Sequence, residues 1–369
     1  MNVSSRKNHS KPQNQRWEVG GEFHWCEWPQ GPYIPWPEPA VWYALGRYAV
    51  AALLRMTRPR PRLWIPDYFC HDVVEHWRGL CRPLMYRDDP RWPEPNWQSL
   101  RVRPGDWVLA MNYFGIRHQD PWKSWKEREN VCLLEDHSHD PVSEWARSSD
   151  ADYAFASLRK TLPVPDGGLL WSPRHRKLPA MPKQEAPSRA ASLKLSAMLL
   201  KSEYLAGRAS VGVKVEYRRL QKQGEDCFVI GEVTAISPVS RELLRSGVPQ
   251  IWCRRRRANA TQLLRGLHAW SVAEAVTTKG IAETPLAMVL CFGSKEARDK
   301  CRKYLESKDV YCPIHWPMPP SAGWAARQLS GRLLSIPIDH RYKPSDVRMI
   351  TKSLTKFVPK GQSFSGVRK

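Results

Sequence analysis

Short apolar segments alternate with stretches of helical periodicity along most of the chain. The runs that predict strands lie at 62–65, 82–86, 107–112, 131–134, 153–156 and 168–171. Helical spacing begins near Pro39 and returns at 71–77, 190–206 and 252–267, with a basic loop expected at 172–189. Because short apolar strands separated by helices are typical of a sheet covered on both faces, we expect a large, mostly parallel α/β domain.

The last third of the chain has a different pattern. Strands are predicted at 286–292, 310–314 and 333–338, and helices at 295–308 and 343–357. This order indicates a small α+β domain. We therefore divide the chain into a flexible basic arm (1–30), a large α/β domain (31–250), a small domain (251–358) and a basic tail (359–369).

Composition narrows the classes of protein that fit. The 369 residues carry a formal net charge of +22, and 18 of them are Trp. The charge is dispersed and no known nucleic-acid signature accompanies it, so we favour a surface that suits anionic ligands over nucleic-acid binding. No apolar run is long enough to span a membrane and no secretory signal is evident, which predicts a cytoplasmic protein. The odd count of nine scattered Cys predicts free thiols and no metal site.

The segment LLEDHSH (133–139) ends a predicted strand in polar side chains. Ligands of open α/β sheets bind beyond the carboxyl ends of the strands, so Asp136 could there pair with a protonated ring nitrogen. His139 could reach a neighbouring oxygen atom. The alternative is structural, because an Asp after a strand often caps the next helix.

Two further segments suggest a site for an anionic ligand. SLRKTLPVPDGG (157–168) places Lys160 just beyond a strand, in a loop stiffened by prolines and followed by a Gly pair. YALGRYAVAALL (43–54) places Gly46 and Arg47 in the first turns of a helix, where backbone N–H groups and a guanidinium can bind phosphate. Each segment alone also fits a plainer interpretation, a solvated lysine or an ordinary amphipathic helix.

Together the three segments resemble the DegT/StrS family of aminotransferases, which depend on pyridoxal 5'-phosphate (PLP) and have fold type I. The matching motifs are Gly46-Arg47, Glu135-Asp136-His137-Ser138-His139, and Lys160 followed by Gly167-Gly168. The segments 255–267 and 333–347 resemble the family's Arg/Asn helix and its closing strand and helix. The resemblance spans roughly residues 40–357 and implies the PLP-dependent transferase fold, with a large sheet domain and a smaller C-terminal domain.

The resemblance also implies roles for individual residues. Lys160 would carry PLP as a Schiff base and later move a proton, and Asp136 would keep the pyridine nitrogen protonated. His139 would bond the ring's hydroxyl oxygen. The remaining cofactor contacts would come from Gly46, Arg47 and Ser157 at the phosphate, and from Tyr68 or Phe69 stacked on the ring. His315 is a candidate substrate contact.

Two departures from the family pattern are visible. The family has a serine five residues before the lysine, where this chain has Phe155, while Ser157 stands three before it. Either the turn is shorter here or Ser157 does not contact phosphate. The family's Asn-Tyr-Arg segment, which reaches the neighbouring subunit's site, has no counterpart, and the nearest equivalent reads AISPVS (235–240).

The expected function is transfer of an amino group from an amino acid, with glutamate as the expected donor, to a keto-sugar or similar ketone. The expected acceptors include a nucleotide-linked sugar, and the expected pathway is surface-polysaccharide or secondary-metabolite synthesis. The resemblance implies a homodimer. Two alternatives stay open: a catalytically inactive protein of this fold that binds an acidic partner or nucleic acid, and another PLP reaction such as elimination or decarboxylation.

Overall fold

A computed structural model describes residues 16–358 apart from 119, 184–187, 278–279 and 281–283. The strands are β1 (Val19–Gly20), β2 (Tyr33–Ile34), β3 (Ala40–Tyr43), β4 (Arg62–Pro66), β5 (Arg82–Tyr86), β6 (Trp107–Met111), β7 (Cys132–Asp136), β8 (Tyr153–Ser157), β9 (Gly168–Trp171), β10 (Val248–Pro249), β11 (Ala273–Ala275), β12 (Ala287–Phe292), β13 (Val310–Tyr311) and β14 (Leu333–Pro337). The helices are α1 (Gly46–Met56), α2 (His71–His76), α3 (Glu144–Arg147), α4 (Ser188–Leu205), α5 (Val213–Asp226), α6 (Pro238–Leu244), α7 (Gln250–Gly266), α8 (Lys295–Glu306), α9 (Trp324–Arg332) and α10 (Pro344–Lys356). Within these ranges no helix is long and apolar enough to cross a membrane.

A seven-stranded sheet forms the centre of the molecule, in the order β3-β9-β8-β7-β6-β4-β5. Only β9 runs antiparallel to its neighbours; the other pairings in the described sheet are parallel. Every residue of Trp107–Met111 is buried, because the central strands are covered on both faces. The mostly parallel sheet predicted from the sequence is therefore confirmed.

The topology brings three chain segments to one edge of this sheet. Strands β7 and β8 are parallel neighbours, with Asp136 opposite Phe155. Strand β3 is antiparallel to β9, as β8 is, so β3 also points its carboxyl end to this edge. The residues that follow these strands, including Asp136, Lys160 and the start of α1, consequently converge there.

A second hydrophobic core lies in the C-terminal part. A three-stranded antiparallel sheet, in the order β11-β12-β14, packs with α7, α8 and α10 around buried side chains such as Leu290, Ile336 and Ile350. Strand β1 pairs in parallel with β13, and Val19 is part of this core.

The sequence prediction differs from the structure at two places near the amino terminus. The helix predicted from Pro39 begins at Gly46, because 40–43 pair with β9 and complete the sheet edge. Residues from Arg16 to position 30, which were predicted to belong to a flexible arm, are packed against the rest of the protein: the Trp17 Nε1 atom donates to the Asp346 carboxylate at 3.0 Å, and Val19 is fully buried. Residues 1–15 and the tail 359–369 lie outside the described residues, and the domain boundaries stay a prediction.

Candidate active site

Lys160 closes a short helical turn that follows β8 directly. Strand β8 ends at Ser157, and the turn covers Leu158–Lys160. The Leu158 N–H donates to the Gly167 carbonyl at 2.9 Å, and the Gly167 N–H donates to the Ala44 carbonyl at 2.7 Å. These bonds fix the loop at both ends, so the half-buried Lys160 side chain starts from a defined backbone position.

Asp136 is the last residue of β7 and is almost fully buried. Its Oδ1 atom accepts the Ser138 N–H at 2.8 Å, which forms a tight turn and not a helix cap. Burial raises the pKa of the Asp136 carboxyl above its usual range, and the positive charge of Lys160 acts in the opposite direction. The two side chains are therefore close enough to interact electrostatically.

Ser138 joins the Asp136 turn to the Lys160 turn. Its Oγ atom accepts the Ser157 N–H at 2.9 Å. The bond links the carboxyl ends of β7 and β8, next to the residues Asp136 and Lys160. Ser138 was an unassigned position in the sequence motif, and the sequence offered no signal for this contact.

The start of α1 sits directly against the end of β8 and the start of β9. A Cβ atom added to Gly168 would lie 2.3 Å from the Leu45 carbonyl carbon and 2.7 Å from the Gly46 nitrogen. A Cβ on Gly46 would lie 3.0 Å from the Ser157 Cβ. Gly168 is therefore required for this packing, and a side chain at Gly46 would be tight against Ser157. The packing brings Ser157 next to the first N–H groups of α1, which have no acceptor within the helix.

Three cations gather around one carboxylate at the same end of α1. The Glu225 carboxylate lies 2.9 Å from Arg159, 3.0 Å from Lys194 and 3.9 Å from Arg47. Burial alone would raise the pKa of Glu225, but these cations outweigh it and hold that pKa well below the usual range. Lys194 also pairs with Glu22 at 3.2 Å, so three positive charges face two negative ones.

A cavity of about 210 Å³ opens between these elements. Its lining includes six of the residues predicted from the sequence: Gly46, Arg47, Phe69, Asp136, Ser157 and Lys160. Trp316, which the sequence analysis did not single out, forms another wall, and the Lys160 Nζ atom lies 5.8 Å from its ring centre. The structure thus brings most of the predicted cofactor residues around one space.

Two of the predicted cofactor residues do not line this cavity. His139 is buried between Phe114 and Trp316, with ring centres at 5.4 and 5.6 Å. Its Nδ1 atom accepts the Phe114 N–H at 2.9 Å, so the proton of the neutral ring sits on Nε2. Tyr68 is also fully buried and donates its hydroxyl hydrogen to the His315 carbonyl. Of the two aromatic candidates, Phe69 alone reaches the wall of the cavity.

Lys160 also lines a second, larger cavity of about 660 Å³. Its walls come from the Gly20–Phe23 segment, from the turn after β8 and from the C-terminal domain, and they include His315. The His315 Nδ1 atom lies 2.9 Å from the Ser335 hydroxyl. Burial and the charge of Lys160 lower the pKa of His315 to about 3, which keeps the ring neutral.

His137 belongs to the framework behind the site. Its ring lies 2.8 Å from Glu135 and 3.2 Å from Asp140, and all three side chains are buried. Burial alone would lower the pKa of His137, but the two carboxylates raise it to about 10. A charged imidazolium therefore ties the end of β7 to the turn that follows it.

The chain was compared with known proteins. No protein-family model and no curated protein sequence matches it. Solved structures do match: TlmJ, an aminotransferase from Streptoalloteichus hindustanus, is 17% identical, with a TM-score of 0.55 over 86% of this chain and 84% of that one. PseC of Helicobacter pylori, an aminotransferase involved in pseudoaminic acid biosynthesis, is 11% identical, with a TM-score of 0.57 over 86% of each chain.

A third match links the fold to the cofactor. Spr1654 of Streptococcus pneumoniae, assigned as a sugar aminotransferase and solved in its PLP form, is 12% identical, with a TM-score of 0.55 over 86% of each chain. At these identities the similarity concerns the fold. The chain has the α/β fold of PLP-dependent aminotransferases, fold type I, as the resemblance of its motifs implied.

Proposed function

We propose that this protein is a PLP-dependent aminotransferase that moves an amino group from an amino acid to a keto-sugar or similar ketone. The observation that carries the proposal is the position of Lys160 and Asp136 on the walls of one 210 Å³ cavity at the carboxyl edge of the sheet. An amine and a carboxylate at this place are the two groups that PLP chemistry requires of its protein.

The residues around the cavity suit each part of PLP. Arg47 and Arg159, the backbone at Gly46 and the Ser157 side chain would bind the phosphate, which prefers cations and helix starts. The Nε atom of Arg47 is buried with no hydrogen-bond partner among the residues described, and a phosphate oxygen would satisfy it. Phe69 and Trp316 offer aromatic faces for the pyridine ring.

The chain's own groups would then perform distinct tasks. PLP, when bound, supplies an aldehyde that captures amines and a ring that accepts electrons. The Asp136 carboxylate would hold a proton at the ring nitrogen, since a nearby negative charge stabilises the protonated form. The Lys160 Nζ atom would bind the aldehyde carbon and, once displaced by the donor amine, carry a proton between two carbon atoms.

The larger cavity supports the proposed choice of substrates. Its volume of about 660 Å³ is in the range of sites that hold small molecules, and it opens beside Lys160. Its lining is rich in arginine, which suits a carboxylate or a phosphate-linked sugar. The similarity to a sugar aminotransferase fold favours a keto-sugar acceptor, and glutamate remains the proposed donor.

The first experiment tests cofactor capture. Purified protein mixed with PLP is expected to develop a visible absorption band, and Lys160→Ala is expected to lose both the band and transfer to a ketone. Lys352→Ala, an exposed lysine on α10, is the matched control and should behave like the wild type. A wild type without the band, or a Lys160→Ala variant that keeps it, would contradict the proposal.

One specific observation supports the alternative of a binding protein. Arg254, Arg257 and Arg265 line an exposed groove on α7, a helix that contains no acidic residue. An acidic protein or nucleic acid would be attracted to such a surface. Salt-sensitive nucleic-acid binding that persists in Lys160→Ala, without transfer to any ketone, would favour this alternative.

A further inference from the structure

A carboxylate stands among the cations that are proposed to bind the phosphate. Glu225, near the end of α5, lines the 210 Å³ cavity together with Arg47, Arg159 and Ser157. Both of its oxygens accept hydrogen bonds from Arg159, one of them at 2.9 Å, and the carboxylate lies 3.9 Å from Arg47. Burial and the charge of Arg159 lower the pKa of Arg47, and Glu225 acts in the opposite direction. Glu225 therefore already supplies the negative charge that the two arginines would otherwise take from a phosphate.

Packing between α4 and α5 holds Glu225 at this place. Lys194, on α4, pairs with Glu225 at 3.0 Å, and the lysine side chain is only 4% exposed. It passes α5 at Gly224, where an added Cβ atom would lie 2.7 Å from the Lys194 Cγ atom. The glycine thus makes room for the lysine directly beside the carboxylate. A buried cation and a close helix contact together direct Glu225 toward the cavity.

The charges at this end of the cavity are nearly balanced before any phosphate binds. Arg47, Arg159 and Lys194 carry three positive charges, and Glu225 and Glu22 carry two negative ones. The phosphate of PLP would add about two negative charges at neutral pH. Negative charge would then exceed positive charge, whereas without the charge of Glu225 the two would be equal. The cations alone therefore suit a phosphate better than the cations together with Glu225.

We propose that Glu225 competes with the phosphate of the cofactor for Arg47 and Arg159 and thereby lowers the affinity of the site for PLP. The inference rests on the proposed function, which places the phosphate at these arginines. The Glu225 side chain is 38% exposed, so its carboxylate can turn toward water when a phosphate enters. The ion pairs of Glu225 are then lost, and its charge still repels the phosphate across a few ångströms.

The competition matters most for the amine form of the cofactor. PLP has an aldehyde that Lys160 can bind covalently, but pyridoxamine 5'-phosphate has an amine in its place and cannot form that bond. Retention of the amine form therefore depends on its phosphate and ring contacts alone. Glu225 makes release of this form easier, so the protein can exchange it with cofactor in solution.

The test measures binding of pyridoxamine 5'-phosphate to cofactor-free protein by the quenching of tryptophan fluorescence. Trp316 lines the cavity, so a ligand bound there changes the emission. Glu225→Gln keeps the size of the side chain and an acceptor oxygen but removes the charge. Its Kd for pyridoxamine 5'-phosphate should be at least about 10-fold lower than that of the wild type. Pyridoxamine, which lacks the phosphate, should bind the two proteins with Kd values within about twofold.

Glu216→Gln is the matched control. Glu216 lies on the same helix, pairs with Arg219 at 2.6 Å and does not line the cavity. Its variant should bind pyridoxamine 5'-phosphate as the wild type does. Circular dichroism checks the folding of each variant. If Glu225→Gln does not fold, Glu225→Asp carries the test, because its shorter side chain withdraws the carboxylate and should give a smaller gain in affinity.

Three results would overturn the inference: unchanged or weaker binding of pyridoxamine 5'-phosphate by the Glu225 variant, an equal gain in affinity for pyridoxamine, or no binding of the phosphate form to either protein. An equal gain for pyridoxamine would mean that the substitution opens the cavity and does not act on the phosphate. A wild type that forms no visible band at saturating PLP would instead overturn the proposed function.

Discussion

Ser138 and Ser157 are joined by a hydrogen bond of 2.9 Å from the Ser157 N–H to the Ser138 Oγ atom. The bond connects the turn after β7, which carries Asp136, to the turn after β8, which carries Lys160. Since catalysis by paired groups depends on their separation, the proposed function makes Ser138 a positioning residue for both.

Ser138→Ala should therefore weaken turnover and stability together. The Ser157 N–H would lose its acceptor, which costs about 1–3 kcal/mol of unfolding free energy, and kcat should fall about 10-fold with little change in KM. Urea unfolding and steady-state kinetics measure the two effects. Ser148→Ala, which removes an exposed hydroxyl of the neighbouring helix, is the control and should stay within about 0.5 kcal/mol of wild type. A Ser138→Ala enzyme with wild-type kcat would refute the positioning role.

Asp136→Asn should separate cofactor capture from turnover. The amide keeps an oxygen for the Ser138 N–H but carries no charge, so under the proposed function Lys160 would still bind PLP while the ring nitrogen would lose its anionic partner. We expect the visible absorption band with PLP to have nearly the wild-type intensity, and we expect kcat to be lowered about 100-fold or more. Because burial already disfavours the Asp136 charge, the unfolding free energy in urea should not decrease. Turnover within about threefold of wild type would be inconsistent with this role.

Gly168→Ala changes a residue of β9 but should displace the start of α1, which packs against it. The new methyl group would meet the Leu45 carbonyl carbon at 2.3 Å, and the backbone would have to move, at a cost of about 1–3 kcal/mol. PLP affinity should fall as well, because the displaced helix start is the proposed source of N–H groups for the phosphate. Gly293→Ala is the matched control, since no atom lies within 4 Å of its added Cβ. Equal stability and equal PLP affinity of the two variants would contradict this account.

Because of His137, the free energy of unfolding should decrease as the pH rises into the alkaline range. The pKa of His137 in the folded protein is raised to about 10 from an ordinary value of 6.5, so its contribution is complete below about pH 6.5. That contribution is lost as the pH rises from there through about 10, because the unfolded state releases the proton first. Urea unfolding across this range should reveal the loss in wild type and a flatter profile in His137→Gln. A histidine NMR titration with a His137 pKa near 6.5 would disprove the prediction directly.

Much of the central sheet could be predicted from the sequence because its strands are buried on both faces and form continuous apolar runs. The run 107–112 is an example, observed as Trp107–Met111. The helix predicted from Pro39 was wrong in its start, since Trp42 and Tyr43 fit a helical and a strand pattern equally until the partner β9 is known. Helix α5 was not predicted because it is highly charged and buries only Tyr217, Leu220 and Gly224.

The candidate site was predictable where a residue type and its place after a strand both carry meaning, as for Asp136 and Lys160. Trp316 was missed because an aromatic in a proline-rich loop has many possible surroundings, although its neighbour His315 was considered. Glu225 was missed for another reason: its partner Arg159 lies 66 positions away, and no local pattern encodes such a contact.

Strand β1 carries a practical consequence for anyone who shortens or tags this chain. Val19 and Gly20 hydrogen-bond beside Val310 and Tyr311, and the next few residues form a wall of the cavity beside Lys160. Deleting the first twenty residues would thus remove the strand that pairs with β13, take Val19 out of the C-terminal core and remove Gly20 from the wall of the cavity beside Lys160. An amino-terminal fusion is safer when it is joined upstream of Arg16.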